Sequence, residues 1–216
     1  MGGLSIVLAA CVYVFGGITI AIINNLRSIR HSEEQKDHLI GAVHIYDQIN
    51  NCIAETSASR IIVFKTHNGG GRPSLSSKFE VSAMFGSNLR IDTKEKFQNL
   101  MVDEEYTRML LEVITGKKKF LTTSDMESSL LERIYKDENV GHSIIYPLCV
   151  TSSGFFFMSV SQHENYEGIE LFNDRNGHKF ELLASSLNHA FREDEKKDKL
   201  FRRWVEIIKE KTKNKK

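Results

Sequence analysis

Apolar and polar residues recur along this chain with different periods, and each period marks a different kind of element. Residues 4–23 are apolar or weakly polar and carry no charge, a run of the length that crosses a bilayer core as a helix. Further on, Leu39, Ala42, Val43, Tyr46, Ile49, Ile53 and Ala54 recur at steps of three and four. That spacing predicts an amphipathic helix over Ser32–Ser57, with Ser32 as its N-cap and Glu33 and Glu34 in its first turn. Its stripe is expected to pack on the protein's own sheet or against a second copy. Arg60–Thr66 is β-branched and aromatic, and the run ends at Asn68 followed by Gly69, Gly70 and Gly71, a strand stopped by a breaker. In Lys78–Phe85, Phe79, Val81, Ala83 and Phe85 alternate with polar residues and Met84. This predicts a returning strand with one buried face.

The rest of the chain continues the alternation of elements. Asn88–Phe97 is polar and is expected to be irregular. Asp103–Gly116 predicts a helix with Tyr106, Met109, Leu110, Val113 and Ile114 on one face and Gly116 as its stop. Phe120–Thr122 predicts a short strand, and Ser124–Asp125 a cap for a helix carrying Leu130, Leu131, Ile134 and Tyr135. Gly141–Val150, the turn Thr151–Gly154 and Phe155–Gln162 predict a hairpin, with Pro147 marking an edge position or a bulge. From Asn176–Gly177 a long helix carries Phe180, Leu182, Leu183, Leu187, Ala190 and Phe191.

Charge changes the picture by its location and not by its sum. The formal net charge of the 216 residues is +1, so no bulk field recruits nucleic acid, and no nucleic-acid partner is expected. Arg27 and Arg30 follow the apolar run and no charged side chain precedes it. The positive-inside rule therefore puts the body of the chain on the cytoplasmic side of a single-pass anchor. The chain thus divides into a short lead at 1–3, an anchor at 4–23, a connector at 24–34, a domain at 35–192 and a basic tail at 193–216. In that tail Leu200, Phe201, Trp204, Val205, Ile207 and Ile208 form an apolar face ringed by basic residues. Lys199, Arg202, Arg203 and Trp204 are candidates for contact with an anionic membrane surface. The other reading is a continuation of the last helix packed on Ser32–Ser57, which would also give a homodimer its second helix.

Candidate chemistry gathers around the glycine run. Backbone N–H groups of consecutive glycines can form a nest for a small anion, and an arginine adds a forked donor. His67, Asn68, Gly69, Gly70 and Arg72 are the candidate ligand-binding residues, with Glu80 on the return strand facing them. The plainer reading is a surface turn at Asn68–Gly69. Lysine followed by serine or threonine, as a phosphate loop requires, is missing. The histidines show no ligand spacing, so no metal is expected, and no cofactor is. No nucleophile–histidine pattern is visible, and Cys149 between Leu148 and Val150 has the setting of an inert thiol. A non-catalytic protein is expected, with an acid–base pair of Glu80 and His67 as the remote enzymatic alternative. Cys11, Cys52 and Cys149 are read as free thiols.

The order helix, strand, Gly-rich loop, strand, helical insertion, short strand, helix, strand, tight hairpin, strand, helix resembles a GAF domain, a relative of the PAS fold. The resemblance covers about Gln35 to Arg192. It rests on Arg60–Thr66, Phe120–Asp125, the run Gly141–Leu148 ending in Pro147-Leu148, the Gly154 hairpin and Phe155–Ser161. It implies an α+β fold: an antiparallel sheet with helices on one face and, on the other, a pocket for a small molecule or a protein partner. The Asn-Lys-X-Asn-Phe-X-Asp-Glu signature of cyclic-nucleotide GAF domains is absent, and no cysteine sits where a bilin would attach. Without a kinase, cyclase or helix-turn-helix segment in the chain, a signal would pass to a separate protein. The function implied is a membrane-anchored sensor or adaptor. The alternative resemblance is to T-type phage holins, lysis proteins with one N-terminal span and a soluble α/β domain. The position of the two arginines speaks against it.

Overall fold

The computed structural model describes residues 2–68, 79–87, 95–126, 129–163 and 173–213, with side chains described within those ranges for 25, 28, 29 and 31–197. In order, the elements are α1 (Gly2–Ala54), β1 (Arg60–His67), β2 (Glu80–Gly86), β3 (Leu100–Met101), α2 (Glu104–Ile114), β4 (Lys119–Thr122), α3 (Leu130–Asp137), β5 (Val140–Thr151), β6 (Gly154–His163) and α4 (Asp174–Lys213). The chain divides into two compact units, Met1–His44 and Ile45–Lys216. The first is helical throughout its described residues. Among the described residues no helix is long and apolar enough to cross a membrane. The side chains of 4–23, on which the expected span rests, lie outside that set.

Ser32 caps no helix, because α1 runs through it without a break. Residues 18–40 contain neither glycine nor proline, and a lone serine inside a helix costs little against Ala. The predicted stripe on this helix holds in part, since Ile49 is buried and Ile53 packs against the core. Leu39 and Val43 are exposed, and the buried positions are Ile45, Ile49 and Cys52.

In the second unit six antiparallel strands form one sheet in the order β3-β2-β1-β6-β5-β4. Alternate side chains of a strand point to opposite faces, and β1 and β6 are apolar on both, so each face carries its own core. On one face Ile61, Val63, Ile144, Met158 and Val160 pack with Ile49 of α1 and Phe180 and Leu187 of α4. On the other, Ile62, Phe64, Ile145 and Phe157 pack with Tyr106 and Met109 of α2 and Leu131 of α3. The expectation of helices on one face alone is therefore corrected: both faces are covered.

Three register shifts interrupt the described pairings, and two of them bear on the sequence reading. In the β1–β2 pairing Val63 lies opposite Phe85 but Phe64 opposite Ala83, so Met84 is an extra residue that reverses the facing of the strand beyond it. Val81 and Ala83 join the α2–α3 face, whereas Phe85 packs with the α1–α4 face. Phe79 is over a third exposed. The predicted single buried face of this strand thus holds only for its middle. Pro147 lies at the second bulge, where the β5–β6 register slips between Pro147 and Cys149. Its strand is interior, not an edge.

The α2–α3 layer is fixed by one carboxylate. Asp103 caps α2 by accepting the Tyr106 N–H at 2.9 Å, and its other oxygen accepts the Leu130 N–H at 2.9 Å. The expected cap at Ser124–Asp125 is instead a single 3₁₀ turn over Thr123–Asp125. The following helix begins at Leu130, capped by Ser129.

Cys52 and Cys149 are free and buried, and burial pushes each thiol up to about 11. Unfolding returns them to about 9. The native state therefore holds protons that the unfolded chain releases between those values, and stability falls over that interval as pH rises. Thermal melts of a Cys52→Ala/Cys149→Ala variant are expected to lose part of the parent's decline between about pH 9 and 11 and to match its profile below pH 8.5.

Candidate functional site: a closed pocket under α2 and α3

The covered face of the sheet carries a small polar cluster in an otherwise apolar setting. Arg60 opens β1 on the same phase as Ile62 and Phe64, pointing into the α2–α3 layer. Opposite it in register lies Ser161 of β6, and opposite Ile62 lies Ser159. These three, with Tyr135 of α3, line a cavity whose other walls include Phe97 and Met109. The space left is about 20 Å³, room for about one water.

The Arg60 side chain is only 8% exposed. Its Nη1 donates to Glu138 at 2.9 Å, and its guanidinium lies 5.3 Å from the centre of the Phe97 ring. Its Nε is buried with no hydrogen-bond partner among the described residues. Glu138 is the C-cap residue of α3, and its second oxygen accepts from Lys96 at 3.1 Å. One carboxylate therefore ties the roof helix to the sheet and to the segment carrying Phe97. Beside it, the Tyr135 hydroxyl and Ser143 share a hydrogen bond of 2.8 Å. Burial raises the Tyr106 and Tyr135 phenols above their ordinary range, so both remain neutral at working pH.

The glycine-run candidates sit at the opposite end of β1. Arg60 and His67 stand seven positions apart, roughly 23 Å along a strand. His67 and Glu80 are cross-strand partners, with Nδ1 and a carboxylate oxygen 3.7 Å apart. The structure thus brings these two together as expected. It adds Ser82, whose Oγ meets His67 Nε2 at 2.7 Å and accepts the Asn99 N–H at 2.8 Å. Asn99 has φ +54°, so the cluster braces a left-handed turn entering β3. Ser82 is buried and its oxygen already accepts a backbone N–H, which leaves it poorly placed as a nucleophile. Asn68 follows directly on β1. Gly69, Gly70 and Arg72 lie outside the described residues, as do the side chains of Lys199, Arg202, Arg203 and Trp204. Among the described residues no group of histidine, cysteine and carboxylates could hold a metal.

A second hollow, of about 200 Å³, lies on the other face between β4 and the start of α4, lined by Phe120, Tyr146 and His178 among others. Its Lys118 is already matched to Glu181 at 2.7 Å.

Sequence reasoning passed over Arg60, Ser159 and Ser161. The signal was present: a charged residue on the inward phase of an apolar strand, and two serines at i and i+2 in a strand of aromatic and β-branched residues.

No protein-family model matches the chain, and no curated protein matches it in sequence. Solved structures do resemble it. The GAF domain region of a protein from Geobacter sulfurreducens, described as a membrane protein, superposes with a TM-score of 0.52 at 16% identity, covering 74% of this chain and 98% of that one. A GAF domain/HD domain protein from the same organism gives 0.51 at 10% identity over 69% of this chain and 90% of its own. A GAF domain in its photoproduct state from Synechocystis sp. PCC6803 gives 0.51 at 10% over 76% and 96%. At such identities the likeness speaks to architecture alone, and together with the six-stranded antiparallel sheet it establishes that this chain has a GAF-like α+β fold.

Proposed function

We propose that the chain is a sensory or regulatory module that binds a small molecule in the pocket between the sheet and α2–α3, without catalysis. The observation that carries this reading is the convergence of Arg60, Ser159, Ser161 and Tyr135 on an apolar cavity beneath two helices. Few convergent polar groups in an apolar hollow are what ligand sites are made of. The roof is suited to responding. Its two helices are joined to each other by Asp103, at the starts of α2 and α3, and to the floor by Glu138 through Arg60. A ligand that altered either tie would change the order of both helices.

Residues 4–23 tether this module to the bilayer, with Arg27 and Arg30 holding its body on the cytoplasmic side. The lysis-protein alternative has in its favour the apolar run followed by a soluble α/β domain, and against it the position of the two arginines.

The test is a thermal-shift screen of the full chain in mild detergent against small acids, nucleotides, sugars and amino acids. A concentration-dependent rise in Tm is expected for at least one class, and it should be lost in Ser159→Val/Ser161→Val. Flat melts across the whole panel would favour a protein partner over a small molecule.

A further inference from the structure

The hollow between β4 and the start of α4 has a floor of Ile144 and Tyr146, both buried in β5. One wall is Phe120 of β4, the register partner of Ile144, and it is 51% exposed. The other wall is a face of α4 on which Asp174, Gly177 and Glu181 follow at steps of three and four. Gly177 stands in the middle of that face. Glycine weakens a helix relative to alanine, and a Cβ at this position would meet nothing within 4 Å, so no close approach calls for it. Its missing side chain leaves room. The hollow measures about 200 Å³, and an apolar cavity of about 150 Å³ already takes up benzene.

One end of the hollow shows the chemistry it favours. The Lys118 ammonium lies 2.7 Å from a Glu181 carboxylate oxygen and 6.0 Å from the centre of the Tyr146 ring. An ammonium is thus held there between a carboxylate and an aromatic face. Two positions along the chain from Lys118, and seven back along α4 from Glu181, the hollow repeats both kinds of group as Phe120 and Asp174. Asp174 forms no ion pair among the described residues. With Lys118 and Glu181 matched to each other, and histidine counted as neutral, Asp174 leaves the hollow one negative charge in excess.

We propose that this hollow is a second ligand site, on the face of the sheet opposite the α2–α3 pocket, and that it takes a small organic cation. The ligand is a primary amine whose ammonium pairs with Asp174 and whose flat apolar body lies on Phe120 and Ile144, over Gly177. Lys118 already fills the cation position at the other end, so a monoamine fits and a diamine does not. The two pockets share no lining residue, and this assignment stands or falls separately from the α2–α3 reading.

The experiment follows the methyl signals of Ile144 by NMR in the methyl-labelled full chain in mild detergent, assigned by their absence from Ile144→Val. Ile62, which lines the α2–α3 pocket, is assigned in the same way and serves as the control. Phenethylamine, phenethyl alcohol and phenylpropionate share a ring and a two-carbon arm and differ in charge. They are titrated in turn, with sodium chloride holding ionic strength constant. Phenethylamine should shift Ile144 saturably and leave Ile62 unmoved. The alcohol should bind at least about tenfold more weakly, for want of a charge-assisted bond, and the acid more weakly still. Asp174→Asn should bring the amine down to the level of the alcohol. Gly177→Leu should abolish the response by filling the hollow, and Asp174→Asn serves alone if that variant does not fold. An Ile144 signal unmoved by all three compounds overturns the site, and so does an amine response that survives Gly177→Leu. Alcohol or acid binding as tightly as the amine overturns the cation assignment. Shifts of equal size at Ile144 and Ile62 mark a bulk effect of the amine and overturn the site as well. A response at Ile62 alone overturns it and leaves the α2–α3 pocket standing.

Discussion

Gly154→Ala is expected to destabilise the protein by at least about 3 kcal/mol, combining backbone strain with overpacking. Gly154 has φ +147°, a conformation that side chains of L-residues rarely adopt. A Cβ placed there would stand 2.0 Å from the carbonyl oxygen of Thr66 and 3.2 Å from its carbon. That obstacle cannot move cheaply. Thr66 is buried in β1, and its hydroxyl oxygen accepts the N–H of Phe155 at 2.9 Å. The hairpin therefore lies with its first returning residue pressed on the backbone of β1. Gly177→Ala is the matched control, since a Cβ there meets nothing within 4 Å. In a helix that change is neutral or stabilising by up to about 1 kcal/mol. Denaturant unfolding of the two variants checks both; a Gly154→Ala protein within about 1 kcal/mol of the parent would contradict this account of the hairpin.

Glu138→Ala has the other large expected effect, a loss of about 3–5 kcal/mol, because it leaves the Arg60 charge buried without its counter-ion. Lys96 can turn its half-exposed ammonium to water, but Arg60 cannot follow. It is held between the sheet and the Phe97 ring, and its side chain is over nine-tenths buried. The cost is that of an orphaned charge and not the worth of the pair. The double variant Arg60→Leu/Glu138→Leu should therefore recover most of the loss, since apolar replacements of a buried ion pair are commonly neutral or better. Urea midpoints of the single and double variants decide it. A double variant as unstable as Glu138→Ala would mean that Glu138 matters as a helix cap or through Lys96, and not as the partner of Arg60.

Elements with a clear local period were legible in the sequence. The helix over Glu104–Ile114 shows its buried face at Tyr106, Met109, Leu110 and Val113, and the β5–β6 hairpin announces itself through Thr151–Gly154. What escaped depended on partners distant in the chain. The extra residue at Met84 is a property of the pairing with β1 and leaves no mark on local alternation. Phe97 lies in a polar, irregular stretch, yet it is 4% exposed because it covers the Arg60 guanidinium. The candidate site was sought where glycines gather, since glycine loops stand out along a sequence. The pocket instead depends on Arg60 and Ser161 becoming neighbours across two strands 101 positions apart, and only the folded sheet discloses that.

Strand order has one more consequence, for how the molecule opens. Strands β1, β6 and β5 are interior and bonded on both sides, while the two-residue β3 and the four-residue β4 form the edges. Amide protons of the pocket floor therefore exchange with solvent only when the sheet itself comes apart, whereas those of the roof can exchange by partial openings that leave the sheet intact. The groups that would grip a ligand belong mainly to the slow part of the molecule, and the groups that would report its presence to the fast part.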